Sequence, residues 1–255
     1  MVRRYSHSKL STFEQCPIKF KYKYLDKIPV EFEKTVEAFL GEIAHETLEW
    51  LYTEIKAKKI PSLDSAIEHY AIKWEENFSK NNLKMKAGST EKEFFEKGIK
   101  ILVNYYTENQ PFEDITLEIE KEILISLDKE EQYKISGFID RIAYNPKTEQ
   151  YEVHDYKTAN YLPQKEKIEQ DRQLALYSIW VKELFGQEQE ILLVWHYLSH
   201  NKVIHSKRTN EQLEKLKKDT IELINKIEST KNFPPTQGIL CDWCEYKKYC
   251  YANNN

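Results

Sequence analysis

Apolar positions recur at two different periods along this chain, and the change of period near residue 112 divides it. Residues 8 to 26 read as a helix behind a Ser or Thr cap. Residues 34 to 57 carry an apolar stripe at helical spacing (Ala38, Leu40, Ile43, Ala44, Thr47, Leu48, Leu51, Ile55). Two further helices are expected over Ser62 to Asn77 and Ser89 to Asn109, each opened by a capping serine with acidic residues behind it, and Pro111 closes the helical block. From Ile115 the period becomes two, predicting strands over 115–126, 131–144 and 150–157. A helix over 167–184, a strand over Ile191 to Leu198, an edge strand near His205 to Lys207 and a charged amphipathic helix over 209–230 follow. Helices, then a hairpin-led sheet, then helices indicate an α/β class built around one core. The expected organisation is a single domain over 1–255, with a mainly helical part at 1–112, a sheet core at 113–208 and a C-terminal helix and Cys-bearing tail at 209–255. No internal repeat is visible, and Asn253-Asn254-Asn255 is the only stretch expected to be disordered.

The second and third strands place chemistry. Asn145-Pro146-Lys147-Thr148-Glu149-Gln150 is a polar segment opened by a turn-favouring Asn-Pro pair, so the flanking strands form a hairpin. If Tyr144 pairs with Tyr151, then Ile142 faces Val153 and Asp140 faces Asp155, because antiparallel partners keep a constant sum of residue numbers. Like charges directly opposite on a sheet are destabilising by a few tenths to ~1 kcal/mol. A divalent cation between them removes that cost. Period-two alternation also sends Asp155 and Lys157 to one face. Asp140, Asp155 and Lys157 together suit phosphodiester hydrolysis: an oxygen-ligated Mg²⁺ or Mn²⁺ keeps waters, one of which becomes the nucleophile, and the lysine orients it or stabilises the developing charge. The alternative is a surface hairpin with three solvated charges.

Composition sets bounds on this picture. The chain has 255 residues, 40% of them hydrophobic, which suits a globular core. No run approaches the roughly 18 apolar residues of a membrane helix, and Met1-Val2-Arg3-Arg4-Tyr5 is not followed by the apolar run of a signal peptide. A cytoplasmic location and no membrane partner are therefore expected. The net charge of −4 does not announce a nucleic-acid binder, yet one basic groove suffices. Residues 1 to 27 hold seven Lys or Arg (Arg3, Arg4, Lys9, Lys19, Lys21, Lys23, Lys27), interleaved with Tyr5, Phe13, Phe20, Tyr22 and Tyr24. That mixture suits a nucleic-acid strand, and equally a helix that snorkels its lysines.

Four cysteines remain: Cys16, Cys241, Cys244 and Cys250. In a reducing compartment, the tight spacing of the last three indicates ligation rather than disulfides. Four thiolates fit a tetrahedral zinc or a [4Fe-4S] cluster, and spacing does not separate the two. Either would staple the two ends of the chain.

Six segments in order resemble the RecB-like branch of the PD-(D/E)xK nuclease superfamily, in particular its iron-sulfur members such as the AddB nuclease domain and the small CRISPR-associated RecB-like nucleases. They are Ser8-x-Leu10-Ser11-x-Phe13-x-x-Cys16-Pro17-x-x-Phe20-x-Tyr22-x-Tyr24; Gly41-x-x-x-His45-x-x-Leu48-Glu49; Gly137-Phe138-Ile139-Asp140-Arg141-Ile142; Asp155-Tyr156-Lys157-Thr158; Gln173-x-x-x-Tyr177; and the C-terminal cysteines. Ala143 departs from the pattern, since many relatives carry an acid there. The resemblance implies a restriction-endonuclease-like core with a mixed central sheet flanked by helices. It further implies metal binding by His45, Asp140, Asp155 and the Tyr156 carbonyl, catalysis by Lys157 with the two acids, and a [4Fe-4S] cluster on the four cysteines, with structural Zn²⁺ as the alternative. Gln173 and Tyr177, at i and i+4, share a helix face and would hold a DNA phosphate or brace the site.

The expected function is a Mg²⁺- or Mn²⁺-dependent DNA nuclease, an exonuclease on single-stranded DNA or DNA ends, acting through a metal-bound water. The rival reading is a non-catalytic DNA-end or partner-binding module in a repair or CRISPR adaptation complex, working beside a helicase or an integrase-complex protein.

Overall fold

The computed structural model describes residues 2–250 except 31 and 33; the Asn253-Asn254-Asn255 tail lies outside that range. Elements run in the order β1 (Arg3–Ser6), α1 (His7–Gln15), α2 (Pro17–Phe20), β2 (Lys34–Thr35), α3 (Val36–Lys56), α4 (Leu63–Phe78), β3 (Leu83–Lys84) and α5 (Glu91–Asn109). They continue as β4 (Ile115–Ser126), β5 (Tyr133–Asn145), β6 (Gln150–Lys157), α6 (Lys165–Glu169), α7 (Gln173–Phe185), β7 (Ile191–Tyr197), β8 (Lys202–Ser206) and α8 (Asn210–Ser229).

The helix starts follow local rules. Thr35, Ser62, Thr90 and Thr209 each accept a backbone N–H of the first turn, and Thr90 with Glu93 and Thr209 with Gln212 close capping boxes. The stripe on α3 is buried from Leu40 through Leu51, but at its start Phe39 goes inward and Ala38 outward, the larger apolar surface winning the core position. The continuous helix expected over 8–26 is broken at Cys16, whose backbone is extended (φ −159°, ψ 104°) ahead of Pro17, as a residue before proline prefers. It resumes as α2 and a π-helical turn over Lys21–Leu25. The helix expected over 167–184 is likewise two, α6 and α7.

β5 is the spine of a six-stranded mixed sheet. β4 runs antiparallel along one edge of it. The other edge is shared: β1 lies parallel against Tyr133–Ser136, and β6 lies antiparallel against Arg141–Asn145. Between them Gly137 to Asp140 have no ladder partner on that edge, which leaves a notch. β7 is parallel to β6, a pairing that requires a crossover, here α6 and α7, and β8 closes the sheet antiparallel to β7. β1 corrects the expectation that the sheet lies wholly within 113–208. Four residues with two arginines give no readable alternation, and only the docking of the N-terminus onto β5 makes them a strand.

The sheet splits the apolar interior in two. α1, α7 and α8 cover one face through Leu10, Leu174, Leu176 and Ile224, packed on Ile139, Val153 and Trp195. α3, α4 and α5 cover the other through Leu48, Trp74 and Leu102, with Tyr156 from the sheet. No helix among the described residues is long and apolar enough to cross a membrane.

Candidate active site

The hairpin register is the expected one, with Tyr144 opposite Tyr151, Ile142 opposite Val153 and Arg141 opposite His154. One residue further the ladder stops. Asp140 turns its carboxylate into the notch, and its Oδ2 accepts the Tyr156 N–H at 2.9 Å, so that a side chain takes the place of a ladder carbonyl. Asp155 and Lys157 share a face as expected: Lys157 Nζ donates to Asp155 Oδ1 at 2.9 Å and to Gln173 Oε1 at 3.2 Å. Asp155 Oδ2 lies 2.7 Å from the same ammonium, and this ion pair is the only polar contact of that buried oxygen among the described residues.

α3 delivers His45 to the same place. Its Nε2 is 2.5 Å from the Tyr156 carbonyl oxygen and its Nδ1 is 3.5 Å from Asp140 Oδ2. The approach needs Gly41, one turn earlier, where a Cβ would lie 2.8 Å from Thr158 Oγ1. From α7, Gln173 braces the Lys157 ammonium, and Tyr177 lies beneath Gly137, where a Cβ would come within 2.6 Å of its hydroxyl. Gln173 and Tyr177 thus reach the catalytic strands, and the bracing of Lys157 by Gln173 is direct.

Glu120 is the residue that sequence reasoning missed. One donor atom from each of His45, Glu120 and Asp140 lies within 4.8 Å of the other two. Alternation along β4 assigns Glu120 to solvent, but its backbone has φ +43°, a conformation that costs an L residue about 1 kcal/mol or more. The pleat changes there: Ile119 packs against the α3 side of the sheet, while Ile123 and Ile125 belong to the α7 side, although all three are odd-numbered. No signal in the sequence marks that turn.

The electrostatics favour a cation at this place. Burial raises the Asp140 carboxyl to about 6, with the Asp155 charge adding to the rise and His45 and the Tyr156 N–H opposing it. Burial likewise raises Glu120 to about 7, helped by Asp140. Burial alone would lower the Lys157 pKa, but the charge and hydrogen bond of Asp155 outweigh it and hold the ammonium well above its ordinary value. The donor set of one imidazole, two carboxylates and a carbonyl suits Mn²⁺ or Mg²⁺, and the crowded Glu120 and Asp140 fit such an ion; Asp155, ion-paired with Lys157, is not among the donors that group within 4.8 Å.

Far from this site, Cys16, Cys241, Cys244 and Cys250 line one pocket with Ile18, Tyr22 and Tyr246. None is in a disulfide. Cys16 is brought there by the break between α1 and α2, and burial raises the Cys244 thiol. Four thiols in a mostly apolar pocket fit a thiolate-ligated metal group.

A comparison with curated proteins finds no match. A family model described as the PD-(D/E)XK nuclease superfamily matches residues 4–251. That span includes all of β1 but Arg3, the notch, every residue of the metal-suited cluster and the cysteine pocket, and the chain belongs to the PD-(D/E)XK nuclease superfamily.

Proposed function

We propose that this nuclease is a deoxyribonuclease that removes nucleotides from single-stranded DNA or DNA ends, with His45, Asp140, Asp155 and the Tyr156 carbonyl as metal ligands, Glu120 beside them, and Lys157 as the catalytic cation. The observation that carries the reading is the position of Lys157, held by Asp155 and Gln173 at the rim of the His45, Glu120 and Asp140 donor group. A bound divalent ion supplies Lewis acidity and a water of lowered pKa. The chain does the rest. Tyr156 holds Asp140 through its N–H and meets His45 through its carbonyl, so one backbone residue fixes two donors. Asp155 keeps Lys157 protonated, and Gln173 aims it into the notch, where the ammonium stabilises the charge that builds on the phosphate oxygens. Contacts to such a substrate are mostly to phosphates and bases without a sequence code, so binding should weaken steeply with salt.

The test is cleavage of end-labelled single- and double-stranded DNA in Mg²⁺ or Mn²⁺ and in excess EDTA. Release of nucleotides that depends on the ion is expected, and cleavage that persists in EDTA would reject the mechanism.

The cysteine pocket is proposed to hold a [4Fe-4S] cluster that ties the Cys16 break to the chain end. Anaerobically purified protein should be brown, with broad visible absorbance and iron in place of zinc. A colourless preparation with one zinc per chain would assign the pocket to zinc.

A further inference from the structure

We propose that the groove along the unpaired edge of β5 seats a single, unpaired nucleic-acid strand, with Phe138 as the platform on which one base stacks next to the cleavage site. The inference rests on the nuclease reading and says how that site chooses its substrate.

The groove encloses about 480 Å³ and runs from Arg4, Ser8 and His7 past Phe138 to Gln173 and Tyr177. It is continuous with the catalytic centre, because Gln173 is also the partner of Lys157. It exists because β5 has one edge shared between two short partners: β1 ends at Ser6 and turns into α1, β6 pairs only from Arg141 onward, and Gly137 to Asp140 are left open. Phe138 stands in that opening with 55% of its surface exposed, and Leu124, opposite Ser136 on β4, is 43% exposed. Leaving a phenylalanine half in water on a central strand forgoes part of its favourable burial. Its position two residues before a site carboxylate gives that exposure a use.

The occupant follows from chemistry. A base offers its π-face to an aromatic ring only when it is unstacked, and a duplex hides those faces everywhere but at its ends. Gly137 leaves room for the Tyr177 ring and hydroxyl, which line the groove beside Phe138. Glu122, the β4 neighbour of Phe138, is tied to Arg4 at 3.2 Å with both side chains more than half exposed. A phosphate can take over such a weakly held partner. His7 lines the groove between them, and its Nδ1 has no hydrogen-bond partner in the protein.

The test uses the full chain in EDTA, where binding is read without turnover. A 2-aminopurine is moved base by base along a short single-stranded oligonucleotide, and Kd is measured by anisotropy for that strand and for a blunt duplex. With wild type, one position is expected to be quenched. Phe138→Ala and the size-preserving Phe138→Leu should lose the quenching and weaken single-strand binding about 5- to 150-fold, the range for one stacked base, with little change for the duplex, while Phe138→Trp keeps both. Unchanged single-strand Kd and quenching in Phe138→Ala overturn the inference, and so does an equal loss for strand and duplex. A change of oligomeric state in Phe138→Ala by light scattering, with DNA binding intact, would also overturn it and assign the patch to a protein contact. Wild type that binds and quenches but never cuts would leave the platform standing and remove the nuclease reading; wild type that cuts while Phe138→Ala behaves identically would do the reverse.

Discussion

Lys157→Ala is expected to lower the rate of DNA cleavage at least about 10²- to 10³-fold, the usual cost of deleting one preorganised group that stabilises transition-state charge. The ammonium is two residues from Asp155 on the same strand, hydrogen-bonded to that carboxylate and to Gln173, and its side chain is 34% exposed, so it faces the place where a phosphate would lie. Water filling the truncated site supplies neither the charge nor the fixed direction. The fold should persist, because the Lys157 side chain is about one-third exposed and its truncation leaves the sheet pairing intact, and metal affinity measured by calorimetry should be maintained or rise as a competing cation leaves Asp155. Lys157→Gln, which keeps length and polarity but not charge, should be as inactive as the alanine variant. Single-turnover rates within threefold of wild type would remove Lys157 from the chemistry.

Arg141→Ala is expected to destabilise the protein by about 3–5 kcal/mol, the cost of removing one partner from a buried charge network. Arg141 is 1% exposed on the sheet face opposite Asp155. Its guanidinium donates to Asp114 Oδ2 at 2.6 Å and to the Tyr156 hydroxyl at 3.0 Å, and stacks 3.9 Å over the Tyr52 ring. Burial, with the arginine charge adding to it, holds His154 neutral. Its Nε2–H then serves Glu152 at 3.1 Å and its Nδ1 accepts from His196 at 2.9 Å, while the Arg141 guanidinium lies 3.1 Å and 3.2 Å from the two ring nitrogens. Asp114, Glu152 and His154 have donor atoms close enough for a metal, but a cation already stands beside Asp114 in Arg141 itself, and Glu152 is held by Asn145 and His154. Removing Arg141 strands the Asp114 carboxylate and empties the buried space between Tyr52, Tyr156 and His154. Arg141→Lys should recover little, since a single ammonium cannot reproduce the fork. Urea unfolding at neutral pH gives the number, and a shift under 0.5 kcal/mol would refute the account. Activity should fall as well, because Tyr156, whose hydroxyl loses one partner and keeps Tyr105, is the residue whose backbone holds Asp140 and His45.

Much of this site can be read along the chain. The hairpin register was legible because its determinants are local: a turn of known type, two alternating runs and a constant sum of paired numbers. Asp155 and Lys157 fall on one face of that hairpin, so their meeting needed nothing from the rest of the molecule; Asp140, expected opposite Asp155, instead lies one residue beyond the paired ladder and takes the Tyr156 N–H. His45 was accessible only through resemblance to a family, since it lies on a helix 111 residues from the Tyr156 carbonyl it touches. The joining of Cys16 to the C-terminal cysteines was foreseeable from count and spacing, and all four do line one pocket.

Periodicity is a property of contiguous residues, and by itself the sequence determined what such residues decide: the helices with their caps, the central hairpin, and the facing of Asp155 and Lys157. The tertiary structure alone decided the rest. Glu120 points into the site because its backbone is held at φ +43° against the twisted β5, which reverses a pleat that its own neighbours would have continued. Arg3 to Ser6 are a strand because β5 offers them an edge, and Phe138 is exposed because β1 and β6 both stop short of it. These outcomes depend on how much of an edge is occupied by segments far away in the chain, and no local pattern carries that information.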